Sequence, residues 1–180
     1  LYSVYLKKVL ILDICIFASL YTLRLIGGAI FIQSELSLSP WLINFSIFFF
    51  FFLACIKRES ELIIGIDAKK ENSRRSYLEE DKKIISTLSV SSGLLSVLVL
   101  LLYAENSMNS TAFSSPILLW LLSPVFLYWI SRFCIISSRG FIKEDPLFFA
   151  IKDRVSLLFA VLVFTIISAA KFLEISYFQN

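Results

Sequence analysis

No histidine occurs in the 180 residues, which removes the side chain that most often serves as general base near neutral pH. Cysteine is nearly as scarce. Cys15, Cys55 and Cys134 lie inside or at the end of apolar stretches, without CxxC spacing. Metal-thiolate and Cys–His chemistry are thereby excluded, and any catalysis must rest on carboxylates, Lys, Arg, Tyr or a carboxylate-bound metal. The net formal charge is only +3, so the basic linkers answer to orientation and to anionic lipid or phosphate rather than to nucleic acid, and no nucleic-acid partner is expected. Basic residues are missing altogether from Gln33–Ser39 and Glu105–Ser115. The first apolar segment does not read as a secretory leader: it is long, carries Asp13 and Arg24, and is followed by no small-residue cleavage site. The chain starts at Leu1 rather than Met, which reads as a piece of a longer protein.

What the sequence has in abundance is apolar surface. It is 58% hydrophobic with 18 Phe and a mean hydropathy of +0.81, and the run Phe48–Phe52 would be an aggregation hazard in water. Five segments, Val9–Ile32, Pro40–Ile56, Ile84–Ala104, Pro116–Ile136 and Val155–Ala170, each approach the length needed to cross hydrocarbon. The expectation is an all-α integral membrane protein of about five transmembrane helices forming a single domain over residues 1–180. Lysines and arginines fall on alternate sides of these segments. Lys7 and Lys8 precede the first, Lys57 to Lys83 hold the second linker, and Arg139, Lys143, Lys152 and Arg154 hold the fourth. These stretches are expected to be cytoplasmic and Asn180 external, in a bacterial inner membrane.

Polar residues inside a span are costly and therefore informative. Asp13 and Arg24 stand eleven positions apart, about three helical turns and so on nearly the same face. A structural reading has Asp13 pairing with nearby lysines and Arg24 with a buried carboxylate; a functional one has both lining a cavity. Gly27 and Gly28 permit close helix approach or a local break. The second segment runs without interruption into Lys57-Arg58-Glu59-Ser60-Glu61. If the helix continues, Lys57 and Glu61 share a face with Arg58 beside them. That is either a stop-transfer cluster or a phosphate or diphosphate site, in which the cations neutralise oxygens while a carboxylate orients substrate or holds Mg²⁺.

The linker Leu62–Lys83 exceeds what two antiparallel helices need and reads as a lid or as a disordered, lipid-facing connector. Tyr128 and Trp129 fit an aromatic belt near Arg132. Glu144-Asp145-Pro146 predicts a short surface helix with Pro146 at its first position, ending at Lys152, Asp153 and Arg154 where the fifth span begins.

The stretches YLKKVLILDICIFASLYTLRLIGGAI, SPWLINFSIFFFFFLACIKRESEL, RRSYLEED, SPVFLYWISR and EDPLFFAIKDRVSLL, in this order, resemble the second half of a bacterial UbiA-type membrane prenyltransferase. The likeness is nearest to the branch of decaprenyl-phosphate phosphoribosyltransferase and of proteins in which such a domain follows a haloacid-dehalogenase-like phosphatase. It covers about Tyr2 to Phe172. The resemblance implies a nine-helix bundle around a central cavity, of which this chain supplies the later helices, and an enzyme that uses Mg²⁺ and a polyprenyl phosphate or diphosphate lipid.

Lys57, Arg58, Glu61 and Leu62 match the branch's Lys-Arg-x-x-Glu-Leu sequence. Arg75 and Tyr77 resemble its Arg-Gly-Tyr element, with Ser76 in place of Gly, and Asp81 matches the acidic residue four positions after the Tyr. The resemblance thus implies catalytic roles for Lys57, Glu61 and Asp81, with Glu61 and Asp81 as Mg²⁺ ligands. It implies substrate-binding roles for Asp13, Arg24, Arg58, Arg75, Tyr77, Lys152, Asp153 and Arg154. The family's first Asn/Asp-x-x-x-Asp sequence has no counterpart, so the remaining helices, or a split partner chain, are expected to complete the site and the isolated piece to be inactive. The alternative reading is a non-catalytic membrane scaffold or transporter subunit, with Asp13 and Arg24 on a substrate or proton path.

Overall fold

The computed structural model describes residues 11–31, 39–67, 77, 80–108, 113–142 and 145–173, apart from the side chains of 29–31 and 66–67. All regular structure among them is helical: α1 (Leu12–Phe31), α2 (Pro40–Asp67), α3 (Asp81–Ser107), a 3-10 helix (Pro116–Leu121) that runs straight into α4 (Leu122–Ser138), the short α5 (Pro146–Lys152), and α6 (Arg154–Phe172).

Among the described residues four stretches are long and apolar enough to cross a membrane: Pro40–Gly65, Asp81–Ser107, Pro116–Ser138 and Arg154–Phe172. They mark a membrane protein by length and composition. α1, 20 residues long, coincides with the first expected segment.

Local signals account for the helix ends. Pro40 and Pro146 open α2 and α5, where a missing N–H is no loss. Asp145 caps α5 by accepting from the Leu147 amide at 3.1 Å, and Asp153 caps α6 by accepting from the Ser156 amide at 2.9 Å. Gly140, with φ +74°, ends α4; its amide donates to the Ser137 carbonyl and that of Phe141 to the Ile136 carbonyl, bonds that close a helix with a left-handed residue. The surface helix expected after Glu144-Asp145 is therefore present, and α2 does continue beyond Ile56, as the site reading of Lys57 to Glu61 requires.

Packing follows residue size. On α3, Ser89, Gly93 and Ser96 are buried, a small-residue row of the kind that lets membrane helices approach closely. A Cβ added at Gly93 would stand 2.6 Å from Ile130 Cγ2 and 3.3 Å from the Phe52 ring. The close approach is thus at Gly93, where α2, α3 and α4 meet. Gly27 and Gly28, singled out in the sequence, do not serve it: a Cβ at either meets nothing within 4 Å, and α1 runs through both unbroken. Ser92 and Ser96 satisfy their hydroxyls along the helix, donating to the Leu88 carbonyl at 2.7 Å and to that of Gly93 at 2.7 Å. Around this seam the aromatics form one core, with Trp129 stacked between Phe133 and Phe159 and Phe52 edge-on to Trp129 and Phe133. Phe49 and Phe52 of the Phe48–Phe52 run pack into this core, and Trp129 is buried rather than in an aromatic belt.

The helices alternate direction. The start of α1, the end of α2, the start of α3, the end of α4, all of α5 and the start of α6 share one end of the bundle, joined by the polar contacts described below. At the far end the Ser115 amide donates to the Ala170 carbonyl at 2.9 Å, its hydroxyl to the Leu173 carbonyl at 2.6 Å, and the Ser114 hydroxyl to the Lys171 carbonyl at 2.9 Å. Lys171 therefore stands at the end opposite the basic linkers, an exception to the charge alternation.

Candidate functional site

Asp13 stands in the first turn of α1, where a carboxylate suits the exposed amides of the helix start. It is fully buried. Its Oδ1 accepts from its neighbour's amide, Ile14, at 2.9 Å and from the Tyr77 hydroxyl at 2.6 Å. Its Oδ2 lies 2.5 Å from Arg58 Nε. The contact is an ion pair held by proximity rather than by hydrogen-bond alignment, since the attraction between unit charges depends on separation. Arg58, 7% exposed, turns its other side to Glu61, one helical turn on, through Nη1. Tyr77 is buried as well, and its oxygen accepts from the Ile11 amide at 2.8 Å. Burial together with the hydrogen bond to Asp13 keeps the Tyr77 phenol protonated well above its usual range. Ile11 holds φ +67°, a conformation costly for a β-branched residue, so the strained entry to α1 is fixed by Tyr77.

Two further knots lie at the same end. Lys57 Nζ meets Asp145 Oδ2 at 2.5 Å and lies 4.8 Å from the centre of the Phe17 ring, tying α2 to the start of α5 and to α1. Arg132 grips Asp153 with both terminal nitrogens, at 2.7 and 3.0 Å. The Ser156 hydroxyl donates to Asp153 at 2.7 Å and accepts from Trp129 Nε1 at 3.0 Å. Burial alone would raise the Asp153 carboxyl, but the bonds from Arg132 and Ser156 outweigh it and hold the group below its ordinary value.

Of the residues expected from the sequence, the structure brings Asp13, Arg58, Glu61 and Tyr77 into one connected cluster with Lys57 beside it. Asp13 pairs with Arg58; Lys7 and Lys8, the lysines nearest to it in sequence, lie outside the described residues. Asp153 belongs to the Arg132 knot. Lys152 and Arg154 are exposed, Lys152 over the Phe148 ring at 4.1 Å, and Asp81 is partly buried in the first turn of α3. Arg75 lies outside the described residues. Arg24 is exposed, its guanidinium 5.0 Å from the Tyr21 ring, with no carboxylate partner among the described residues. The buried carboxylate anticipated for it is not supplied by them.

The sequence alone assigns no role in the site to Glu59, Arg132 or Asp145, although it places Arg132 and Asp145 at this end. Glu59 is 2% exposed and accepts from the Ser137 hydroxyl at 2.6 Å. It sits among charged residues, yet it follows Cys55 by four positions, and Cys55 is buried on that face. Periodicity was the available signal. Among the described residues no group of three or more Asp, Glu, Cys or His gathers as a metal site. Glu61 faces Arg58, so these carboxylates do not by themselves complete a Mg²⁺ donor set.

Between α4 and α6 an open apolar groove of about 370 Å³ is lined by Pro124, Val125, Tyr128, Val155, Leu158, Phe159 and Leu162. It runs along the helices whose ends carry the Arg132–Asp153 knot.

No protein-family model matches the chain. The uncharacterized protein y4nM of Sinorhizobium fredii is 30% identical over 164 residues, which is 90% of this chain and 31% of that protein. The nodulation protein NoeC of Azorhizobium caulinodans is 30% identical over 148 residues, 82% of this chain and 48% of that protein. The chain spans about a third and about half of these curated relatives.

Proposed function

We propose that this chain is the later part of a UbiA-type membrane transferase, lying in a bacterial inner membrane with its polar end cytoplasmic and α1 as a fifth span. The transferred group is a prenyl group or, in the sister branch, a phosphoribosyl group, and a polyprenyl lipid is donor or acceptor. The observation that supports this reading is the meeting of Asp13, Arg58, Glu61 and Tyr77. They come from three separate stretches of sequence, and each belongs to a stretch that carries the family resemblance. A structural subunit would permit that convergence; a transferase requires it.

In the transfer, the bond from the donor carbon to the diphosphate oxygen breaks, the electron pair leaves with diphosphate, and an acceptor atom bonds to that carbon. Lys57 and Arg58 bind and orient the diphosphate oxygens and neutralise charge as it develops there. Asp13 holds the Arg58 guanidinium in place, Tyr77 holds Asp13, and Asp145 holds Lys57, so all three are positioning residues. The α4–α6 groove offers apolar walls to an isoprenoid tail. Mg²⁺, when bound, would neutralise diphosphate charge; Glu61 and Asp81 could contribute only part of its ligands, the rest coming from outside this chain.

A second reading, a non-catalytic membrane scaffold, draws on one observation: Lys57, Arg58 and Arg132 all have carboxylate partners within the chain. The test uses membranes containing the whole gene product, supplied with polyprenyl phosphate and phosphoribosyl diphosphate or, separately, with a prenyl diphosphate and a phenolic acceptor. Lys57→Ala or Glu61→Ala is expected to abolish transfer while membrane insertion is unchanged. Retained turnover in both variants removes these residues from the site, and no turnover by the unsubstituted protein with any donor favours the scaffold.

A further inference from the structure

One face of α1 is not accounted for by the packing of this chain. Leu20, Leu23, Arg24, Gly27 and Gly28 are all exposed, whereas Ile14, Ala18 and Thr22 on the opposite side are buried. At 100° per residue the exposed five fall within one stripe. Asp13 lies at the foot of that stripe and is covered there by Arg58 and Tyr77. Phe17, one turn higher, is partly covered by Lys57; from Leu20 onward the stripe is bare among the described residues.

Arg24 is eleven positions beyond Asp13, about 16 Å along the helix, and so near the middle of a hydrocarbon layer roughly 30 Å thick. Charged side chains at that depth turn to a partner or a wet cavity rather than to lipid tails, and half a bilayer is too far for the side chain to reach the headgroups. The glycines are a second, independent observation. Two adjacent glycines weaken a helix, and here neither serves a contact among the described residues, since a Cβ at either position meets nothing within 4 Å. Small residues on an apolar helix admit another helix backbone closely.

We propose that the Leu20–Arg24–Gly27–Gly28 face of α1 docks an apolar helix that carries an Asp or Glu at the depth of Arg24. That helix comes from polypeptide outside residues 1–180, corresponding to the length by which the two matched relatives exceed the region they share with this chain. A second copy is disfavoured by charge: two such faces crossing at their glycines bring Arg24 against Arg24. The docking requires that α1 be a membrane span and does not depend on the transferase reading.

The test is site-specific photocrosslinking in native membranes. Benzoylphenylalanine replaces Leu20 or Leu23 in the whole gene product, with the exposed Phe164 on α6, outside the groove, as the lipid-facing control. Expected from positions 20 and 23 is a crosslink to an apolar, carboxylate-bearing peptide of the same polypeptide outside residues 1–180. Lipid adducts alone, as at position 164, overturn the proposal; so do crosslinks to a second copy, identified by mixed isotope labelling, or to an unrelated protein. A charge swap then tests the pairing without reference to activity. Arg24→Glu is expected to lower the steady-state amount of protein several-fold, and changing the captured carboxylate to Arg in that background to restore it. Failure of the double variant to recover rejects the ion pair.

Discussion

Tyr77 and Asp13, sixty-four residues apart, share a buried 2.6 Å hydrogen bond that fastens the segment before α3 to the first turn of α1. Asp13 is not fixed by its own helix alone. The bond exists because Arg58 supplies the charge that makes a buried carboxylate tolerable.

Tyr77→Phe removes one donor from Asp13 and leaves the Ile11 amide without its acceptor. A loss of about 1 to 3 kcal/mol is expected, the range for stranding a buried polar group. Thermal unfolding of the detergent-solubilised protein measures it, and an unchanged melting temperature would show the hydrogen bond to be dispensable.

Asp13→Ala leaves the Arg58 cation buried with Glu61 alone. The expected cost is roughly 3 to 5 kcal/mol, whereas the double variant Asp13→Leu with Arg58→Met, which removes both charges, recovers most of it. A double-mutant cycle on unfolding free energies tests the pair; additive losses would mean that the two do not interact.

Asp153 carries a pH dependence whose sign is set by its lowered carboxyl. Its unfolded value is about 3.9, so its contribution is fully present above that pH and is lost as pH falls through the lower, folded value. Asp153→Asn should therefore lower the melting temperature at pH 6 and narrow the gap to the unsubstituted protein toward pH 3. A difference constant across that range contradicts the assignment. Arg132→Leu is expected to flatten the profile in the same way.

Gly93→Ala should cost about 1 to 3 kcal/mol, because the new methyl meets Ile130 at 2.6 Å and the seam is already filled. Ile130→Val in the same chain is expected to return part of it. If Gly93→Ala melts as the unsubstituted protein does, α3 and α4 are not in close contact there.

Much of this arrangement is legible in the sequence, for reasons that particular residues make plain. Hydropathy and the prolines at positions 40, 116 and 146 place the helices. Asp145 announces its own cap, and Lys57 to Glu61 share a helix because no breaker follows Ile56. What resisted reading is depth and coverage. Helical periodicity puts Asp13 and Arg24 on nearly one stripe, but not that Arg58 and Tyr77 cover the first and nothing described covers the second. The Gly27-Gly28 pair and Gly93 look alike as letters; only three-dimensional neighbours separate an open face from a seam. Glu59 was hidden for the opposite reason, a buried acid in a run whose neighbours are charged.

The hydrogen bonds from Ser114 and Ser115 to the last turn of α6 bear on how the protein is made. α6 buries little of itself against the bundle, although Phe159 stacks on Trp129. That modest apolar hold is fastened by two clasps, Arg132 with Asp153 where the helix enters and the serine pair where it ends. The second cannot close until the whole helix has threaded through, which makes it the final stitch of biogenesis for these helices. A ribosome stalled before Phe172 would leave α6 hinged at one end and accessible to membrane proteases.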